Sequence, residues 1–519
     1  MIGRSFEYSL AVARLWIAAC GAPEHNRPTP PPTAHQPDAA PRATPVRGHL
    51  TVWQDGLQIG YERYDDDGET LTSELFLRGG SRGALKIGRS PRRVAIVGIQ
   101  PTGWGADSVD PLPHPLTNQT FPIWQDVFRH GQPYALAAEW FPQANHQPIQ
   151  LVGPPTWDPV DGTVVVSNAD GGGRRVELAA PWGRVVVDIA ATGHVTRWAN
   201  DQTGANHFEC LAAPNGIDEE LLEIARPEQH VTIRGSLWLP RNAAPKLPIV
   251  VFHAGSGPTD RDWNGPAGHL RTNTARMLAA ELAKRGVASF RYDKRHQSQS
   301  QSGVPLTAEL TRTLSVQDYA DDLVAVMERL RRDGRLGALT VAGHSEGGMI
   351  ALLAAQSHPP DALIIVNSVA RLWRDLIRFQ LARRLDAKAM AEYDRLITEL
   401  RAGGPISKLS PALEATQLFE RDTLNYLRSE IDLDPAALLG KLPNLPVVVL
   451  QGESDVQQVI EDVPKLARVR PGLQIVMLPR VNHVLKEEAE RAFPQTSYDD
   501  AERPLGPGVV DAFISGVRR

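Results

Sequence analysis

Cysteine is scarce in this chain. Cys20 and Cys210 are the two in 519 residues, and neither sits in a C-x-x-C pair of the kind used for zinc or redox chemistry. They are expected to be unbridged. Positive charge is not in excess either: the formal net charge is -5 and the pI is near 6.3, which gives no overall basic field for nucleic acid or an anionic membrane surface. A reader of phosphate backbones is not expected. The apolar segment near the N-terminus, residues 9–19, is too short to span a bilayer. Hydrophobic residues make up 42% of the chain, enough to bury a sizeable core. Length alone suggests roughly three domains at about 150 residues each, but two are expected because a catalytic α/β unit can be large.

The first twenty residues, "MIGRSFEYSLAVARLWIAAC", combine a basic residue at Arg4, a short apolar stretch and small residues before Cys20. Ile17-Ala18-Ala19-Cys20 resembles a bacterial lipobox, in which the cysteine is lipidated and begins the mature chain. Glu7 and Arg14 depart from that pattern, so an incidental cysteine in a frayed terminus is the competing reading. Residues 21–48, rich in proline and polar side chains, favour an anchor because they read as an extended tether. Export to the bacterial periplasm, free or as a membrane-anchored lipoprotein, is the expected location.

Residues 49–226 have a β texture. "LTVWQDGLQIGYERYDDDGETLTSELFLRGG" and "GTVVVSNADGGGRRVELAAPWGRVVVDIAATGHV" alternate apolar and polar positions around Gly and Asp turns, with no clear helical period. An all-β accessory domain, sandwich or open barrel, is expected. The run Asp65-Asp66-Asp67-Gly68 lacks the spaced oxygens of a calcium loop and reads as a solvated turn.

From residue 227 to 519 strands alternate with helices. "HVTIRGSLWL", "PIVVFH", "VASFRYD", "ALTVA", "ALIIVNS", "PVVVLQ" and "QIVML" are short apolar runs, and helical segments such as "SVQDYADDLVAVMERLRRDG" lie between several of them. This is the pattern of a mostly parallel sheet covered on both faces, whose functional groups gather beyond the carboxyl ends of its strands. Residues 371–440 hold more helix than one crossover needs, so a cap over the site is expected there, with Leu372, Trp373, Ile377 and Phe379 as candidate pocket residues. Ordinary packing of an amphipathic stripe is the alternative for those four.

"ALTVA" runs into "GHSEGG", a Gly-x-Ser-x-Gly turn between strand and helix that has the form of a nucleophile elbow around Ser345. A serine hydroxyl needs an imidazole to take its proton and a carboxylate to orient that imidazole. In the chain order Ser, acid, His, the base must follow Ser345, which leaves His358 and His483. His358 ends the elbow helix and should point away, so His483 is the candidate base. Asp455, in "GESD" after "PVVVLQ", is the candidate acid, with Glu453 and Asp462 as rivals. Oxyanion donors are expected from the backbone N–H of Glu346 and from the glycine-rich "AGSGPTDRDWNG", with Ser256 first and Gly255 second. A tight turn with a cap at Asp260 or Asp262 is the bland reading of that loop.

"AGSGPTDRDWNG", "RYDKR" (291–295), "GHSEGG", "LQGESD" and the pair Asn482-His483 resemble the bacterial α/β-hydrolase group that includes serine esterases and serine aminopeptidase-like hydrolases. The resemblance covers about residues 227–519. It implies an α/β-hydrolase fold and a Ser-His-Asp triad with no cofactor or metal. The "HQSQSQSG" that follows "RYDKR" departs from the Gly-rich turn usual in the group. Asp293 and Arg295 are expected to brace loops by ion pairing. A carboxylesterase acting on small acyl or aryl esters is the leading expectation. A peptidase on small peptides and a non-catalytic surface-binding protein are the alternatives. The substrate, the accessory domain's ligand and the oligomeric state are not legible. If Cys20 carries the anchor, Cys20→Ser should move the protein from the membrane to the soluble fraction, and mass spectrometry finding unmodified Cys20 would exclude the lipoprotein reading.

Overall fold

The computed structural model describes residues 46–517 apart from 55–56, 78–81, 90–91, 101–109, 112–119, 123–134, 153–159, 182, 203–207, 212, 215, 242–244, 266–269, 297–307, 369, 417, 459 and 492–494. The segment 1–20 with Cys20, most of the tether, and the Gln-Ser run after His296 lie outside these residues.

The N-terminal half forms one sheet of thirteen strands: β1 (Val46–Gln54), β2 (Leu57–Asp66), β3 (Thr70–Leu77), β4 (Arg82–Arg89), β5 (Arg92–Gln100), β6 (Asp110–Pro111), β7 (Thr120–Pro122), β8 (Gln147–Val152), β9 (Val160–Asn168), β10 (Arg174–Ala180), β11 (Gly183–Ile189), β12 (Val195–Gln202) and β13 (Phe208–Leu211). Their order is β6-β5-β4-β3-β2-β1-β13-β12-β11-β10-β9-β8-β7, antiparallel except for β7 with β8. Strand β1 takes Val46 to Gly48 from the stretch read as tether. One apolar core joins Leu50, Tyr64, Leu71 and Ile87 to Val176, Val187 and Trp198. A short helix, Ala135–Trp140, brings Leu136, Ala137 and Trp140 into that core. The all-β expectation omitted it, because six residues carry too little periodicity to stand out. Asp66 and Asp67 form a turn, Asp67 Oδ1 accepting from the backbone of Glu69 at 2.9 Å and of Thr70 at 2.7 Å.

The second sheet has eight strands: β14 (Ile217–Arg226), β15 (Val231–Pro240), β16 (Leu247–His253), β17 (Ala288–Tyr292), β18 (Leu336–His344), β19 (Ala362–Val366), β20 (Val447–Gly452) and β21 (Gln474–Leu478), in the order β14-β15-β17-β16-β18-β19-β20-β21. Pairs from β17 to β21 are parallel; β14 and β15 add an antiparallel edge. The expected boundary at 226/227 therefore needs correction. Strand β14 pairs with β15 over its whole length, from Ile217 opposite Pro240 to Arg226 opposite Val231, so the second domain begins between Leu211 and Ile217. The β texture runs on without a break there, and only the hydrogen-bonding partner reveals the change of sheet.

Burial follows the pattern of the sequence. The helix Val316–Arg331 is capped by Ser315, whose backbone N–H donates to Asp318 Oδ2 at 2.8 Å, and it buries Tyr319, Leu323, Val326 and Leu330 on one face. That face and the elbow helix Glu346–Ala355 cover one side of the sheet, while Thr274–Ala283 and Val509–Gly516 cover the other through Leu278 and Phe513. Helices Trp373–Leu381, Ala387–Arg401, Pro411–Glu414 and Leu424–Glu430 form the surplus expected between β19 and β20. Pro435–Gly440 packs on the elbow helix and on Val463–Val469, so it serves as the crossover and the cap ends before it.

Because β14 shields the edge of β15, a fragment beginning at Ala213 should unfold cooperatively, whereas one beginning at Pro227 should melt at a lower temperature or aggregate through the bared edge. Differential scanning calorimetry decides this, and equal melting temperatures would make β14 dispensable.

Candidate active site

Ser345 caps the elbow helix with φ 55° and ψ -126°, a conformation in which a side chain is strained and projects from the turn. Its neighbours must be glycine for space. A Cβ on Gly343 would lie 2.3 Å from the Gly347 carbonyl oxygen, and one on Gly347 would lie 2.5 Å from that of Ala254. The turn is held by Ser345 N–H donating to the Val366 carbonyl at 2.9 Å and by Ser368 Oγ donating to the Ser345 carbonyl at 2.5 Å.

Strands β20 and β21 deliver the next two groups. Asp455, fully buried, accepts from His483 Nδ1 at 2.8 Å through Oδ2 and from the backbone of Gln457 at 2.7 Å and Gln458 at 3.0 Å through Oδ1. Burial opposes its charge, but His483 and the two backbone donors hold its carboxyl below the usual carboxylate value. Ser345, His344 and His483 line one cavity of about 100 Å³ together with Gly255, Ser256, and Gln457. The rival carboxylates are elsewhere: Glu453 is exposed, and Asp462 pairs with Arg371 and with Lys465. His358 lies on the surface, 3.5 Å from Glu328.

The loop after β16 is held by buried ions. Arg261 donates to Asp293 through its backbone at 2.9 Å and through Nε at 3.1 Å, Arg291 pairs with Asp262, and Asp260 Oδ1 accepts from the backbone of Asp262 and Asn264, both at 2.8 Å. The tight turn at Asp260, the alternative reading of this loop, is present, and it frames the loop without occupying the site. Arg295 grips Asp322 through two hydrogen bonds of 2.8 Å, so Asp293 and Arg295 both brace by ion pairing. Lys294, between them, donates to the Gly255 carbonyl at 2.8 Å and to Glu346 Oε2 at 3.2 Å. A trans peptide points its C=O and N–H in opposite directions, so Lys294 turns the Ser256 N–H away from itself. Among the described residues neither Ser256 nor Glu346 has a protein acceptor for its backbone N–H, and a Cβ on Gly255 would come within 3.0 Å of the Ser345 Cβ.

Several contributors were not anticipated from the sequence. His344 Nε2 and Asn367 Nδ2 both donate to the His483 carbonyl, at 2.8 and 2.9 Å, and Asn367 Oδ1 accepts from Gly452 N–H at 2.7 Å. Since a carbonyl can only accept, His344 carries its proton on Nε2. Burial and the neighbouring His483 push the His344 pKa down to about 3, so its ring stays neutral while it stacks on Trp263 with centroids 4.7 Å apart. Asn482 Oδ1 accepts from the backbone of Val484 at 3.1 Å and Lys486 at 2.9 Å, shaping the turn that presents His483. Positions directly after strand ends, such as Asn367 after β19, were the signal available for these residues.

A sheet of this order with a serine elbow after β18 and acid and imidazole after β20 and β21 defines an α/β serine hydrolase. Residues 267–431 match a hydrolase family model described as serine aminopeptidase, S33. Among solved structures, Est1E from Butyrivibrio proteoclasticus is similar at 17% identity with a TM-score of 0.34, over 51% of this chain and 90% of that one. Proline iminopeptidase of Mycobacterium smegmatis is similar at 18% identity with a TM-score of 0.32, over 51% of this chain and 92% of that one. XC6422 from Xanthomonas campestris is similar at 17% identity with a TM-score of 0.30, over 52% of this chain and 88% of that one. A search of curated proteins finds no match to the sequence.

His344→Ala removes one of two donors on the His483 carbonyl and the ring beneath Trp263. It should lower kcat about ten- to a hundredfold through a misplaced imidazole, with a much smaller change in KM. Steady-state kinetics on an ester substrate reads this, and an unchanged kcat would show that Asn367 alone positions the loop.

Proposed function

We propose that the protein is a serine carboxylesterase that cleaves small acyl or aryl esters through an acyl-enzyme. The observation that carries this reading is the 2.8 Å contact of His483 Nδ1 with buried Asp455 beside a serine held at positive φ. Ser345 Oγ attacks the ester carbonyl carbon as His483 Nε2 takes its proton. Asp455 holds Nδ1–H and stabilises the imidazolium. The Ser256 and Glu346 N–H groups receive the developing oxyanion, each worth about 3 kcal/mol. The tetrahedral intermediate collapses, the alcohol leaves with the proton from His483, and a water activated by the same imidazole hydrolyses the acyl-enzyme.

The family description favours a second reading, an aminopeptidase, since the same triad cleaves amides. Such an enzyme needs an uncompensated carboxylate for its substrate's ammonium. Beside Ser345, Glu346 is already paired with Lys294 at 3.2 Å, and burial together with the Glu346 charge pushes the Glu430 carboxyl well above its usual range, toward the neutral acid. Both features support an ester. On this reading the enzyme works outside the cytoplasm, tethered through Cys20.

Ser345→Ala should reduce kcat on p-nitrophenyl esters to below about a thousandth of wild type without lowering the melting temperature, because the side chain stands on a turn and fills no core space. More residual activity would reject the elbow assignment. Greater kcat/KM on aminoacyl anilides than on p-nitrophenyl esters would favour the peptidase, and failure of wild type to react with a fluorophosphonate would favour a binding protein.

A further inference from the structure

A second cavity, of about 310 Å³, adjoins the nucleophile's cavity through Ser256, which lines both. Its walls are mostly apolar: Leu314, Leu418 and Leu427 with the rings of Tyr319, Tyr426 and Trp373. Of the four cap residues expected in a pocket, Trp373 is the one here. Phe379 instead lies under the guanidinium groups of Arg371 and Arg383, 5.7 and 4.4 Å away, and Ile377 packs against the main core.

Glu346 and Glu430 are the buried carboxyls of this cavity, and they are satisfied unequally. Glu346 Oε1 accepts from Tyr426 OH at 2.9 Å, and Oε2 from Lys294 at 3.2 Å. Glu430, which is 1% exposed, is hydrogen-bonded to Glu346 and to Trp373, yet its Oε1 has no hydrogen-bond partner. A buried carboxyl oxygen left unpaired costs stability, and in a wall of a ligand-sized cavity it marks a place for a donor from the ligand.

Resting on the esterase reading, we propose that Glu430 accepts a hydrogen bond from a hydroxyl group on the substrate arm that enters this cavity, making the preferred substrates hydroxyl-bearing aryl or alkyl esters. A neutral donor fits better than an ammonium. The charge of Glu346 is already matched by Lys294, whose own ammonium is buried at the same wall, so an incoming cation would meet a like charge. The apolar walls accept the carbon skeleton, and the carboxyl oxygen selects the hydroxyl.

The test compares three esters with the full chain: methyl 3-phenylpropanoates carrying a para hydroxyl, the similarly sized methyl, or the one-atom-longer aminomethyl group. Wild type should favour the hydroxyl over the methyl ester in kcat/KM by about tenfold or more. Glu430→Leu should bring that ratio to near one, and Glu430→Gln, which keeps a carbonyl acceptor, should hold much of it. An equal hydroxyl-to-methyl ratio in wild type and Glu430→Leu would overturn the proposal, as would a preference for the aminomethyl ester that depends on Glu430. Calorimetric binding of 3-(4-hydroxyphenyl)propanol, against its para-methyl analogue, gives a reading independent of turnover. Hydroxyl-selective binding lost in Glu430→Leu but without ester cleavage would support the pocket assignment and refute the esterase; cleavage without hydroxyl selectivity would do the reverse.

Discussion

A single buried ammonium ties the site together. Lys294, 2% exposed, reaches the Gly255 carbonyl in the loop after β16 and Glu346 at the start of the elbow helix, and it lies 4.3 Å from the Tyr319 ring. Left unpaired, such a charge would cost several kcal/mol, so its three partners are held in fixed relation to it. The consequence at the site is directional. The Gly255 carbonyl faces Lys294 and the Ser256 N–H, the proposed oxyanion donor, faces the other way. Through Glu346 and Tyr426 the same ammonium reaches the cap, so pocket and machinery share one anchor.

The strain at Ser345 is offset by what surrounds it. The backbone there is stitched to β19 through Val366 and Ser368, and the glycines on either side permit contacts that no side chain could make. The imidazole is controlled from behind in the same manner, by two donors on the His483 carbonyl and by the Asn482 side chain within its turn. Neither arrangement contributes much core area. Both limit motion at the position where a proton must move.

The accessory sheet stands apart from this machinery. Every group assigned to the triad or the oxyanion hole follows β16, and the described contact between the halves includes His49 with Glu219, 3.0 Å apart, at the edge strand β14. Glu219 is held below the usual carboxylate range by His49 and by the nearby Arg291 and Arg276, although burial acts in the opposite sense. The accessory sheet is thereby linked to the second domain at the strand that sequence reading had placed in the first.

Much of the hydrolase fold was legible because its signals are local. Short apolar runs mark most of β16 to β21, the glycines around Ser345 mark a crowded turn, and Asp455 and His483 follow strand ends where a parallel sheet gathers its chemistry. Short-range pattern carries such information, since strand period and turn sterics depend on neighbours in the chain. The membership of β14, the short helix at Ala135 and the work of Lys294, His344, Asn367 and Glu430 were not legible, because each depends on a partner distant in sequence. Glu430 in isolation is a glutamate at the end of an amphipathic helix. Folding sets it against Glu346 and Trp373, away from water, and its chemistry follows from that burial, a property of the tertiary structure alone.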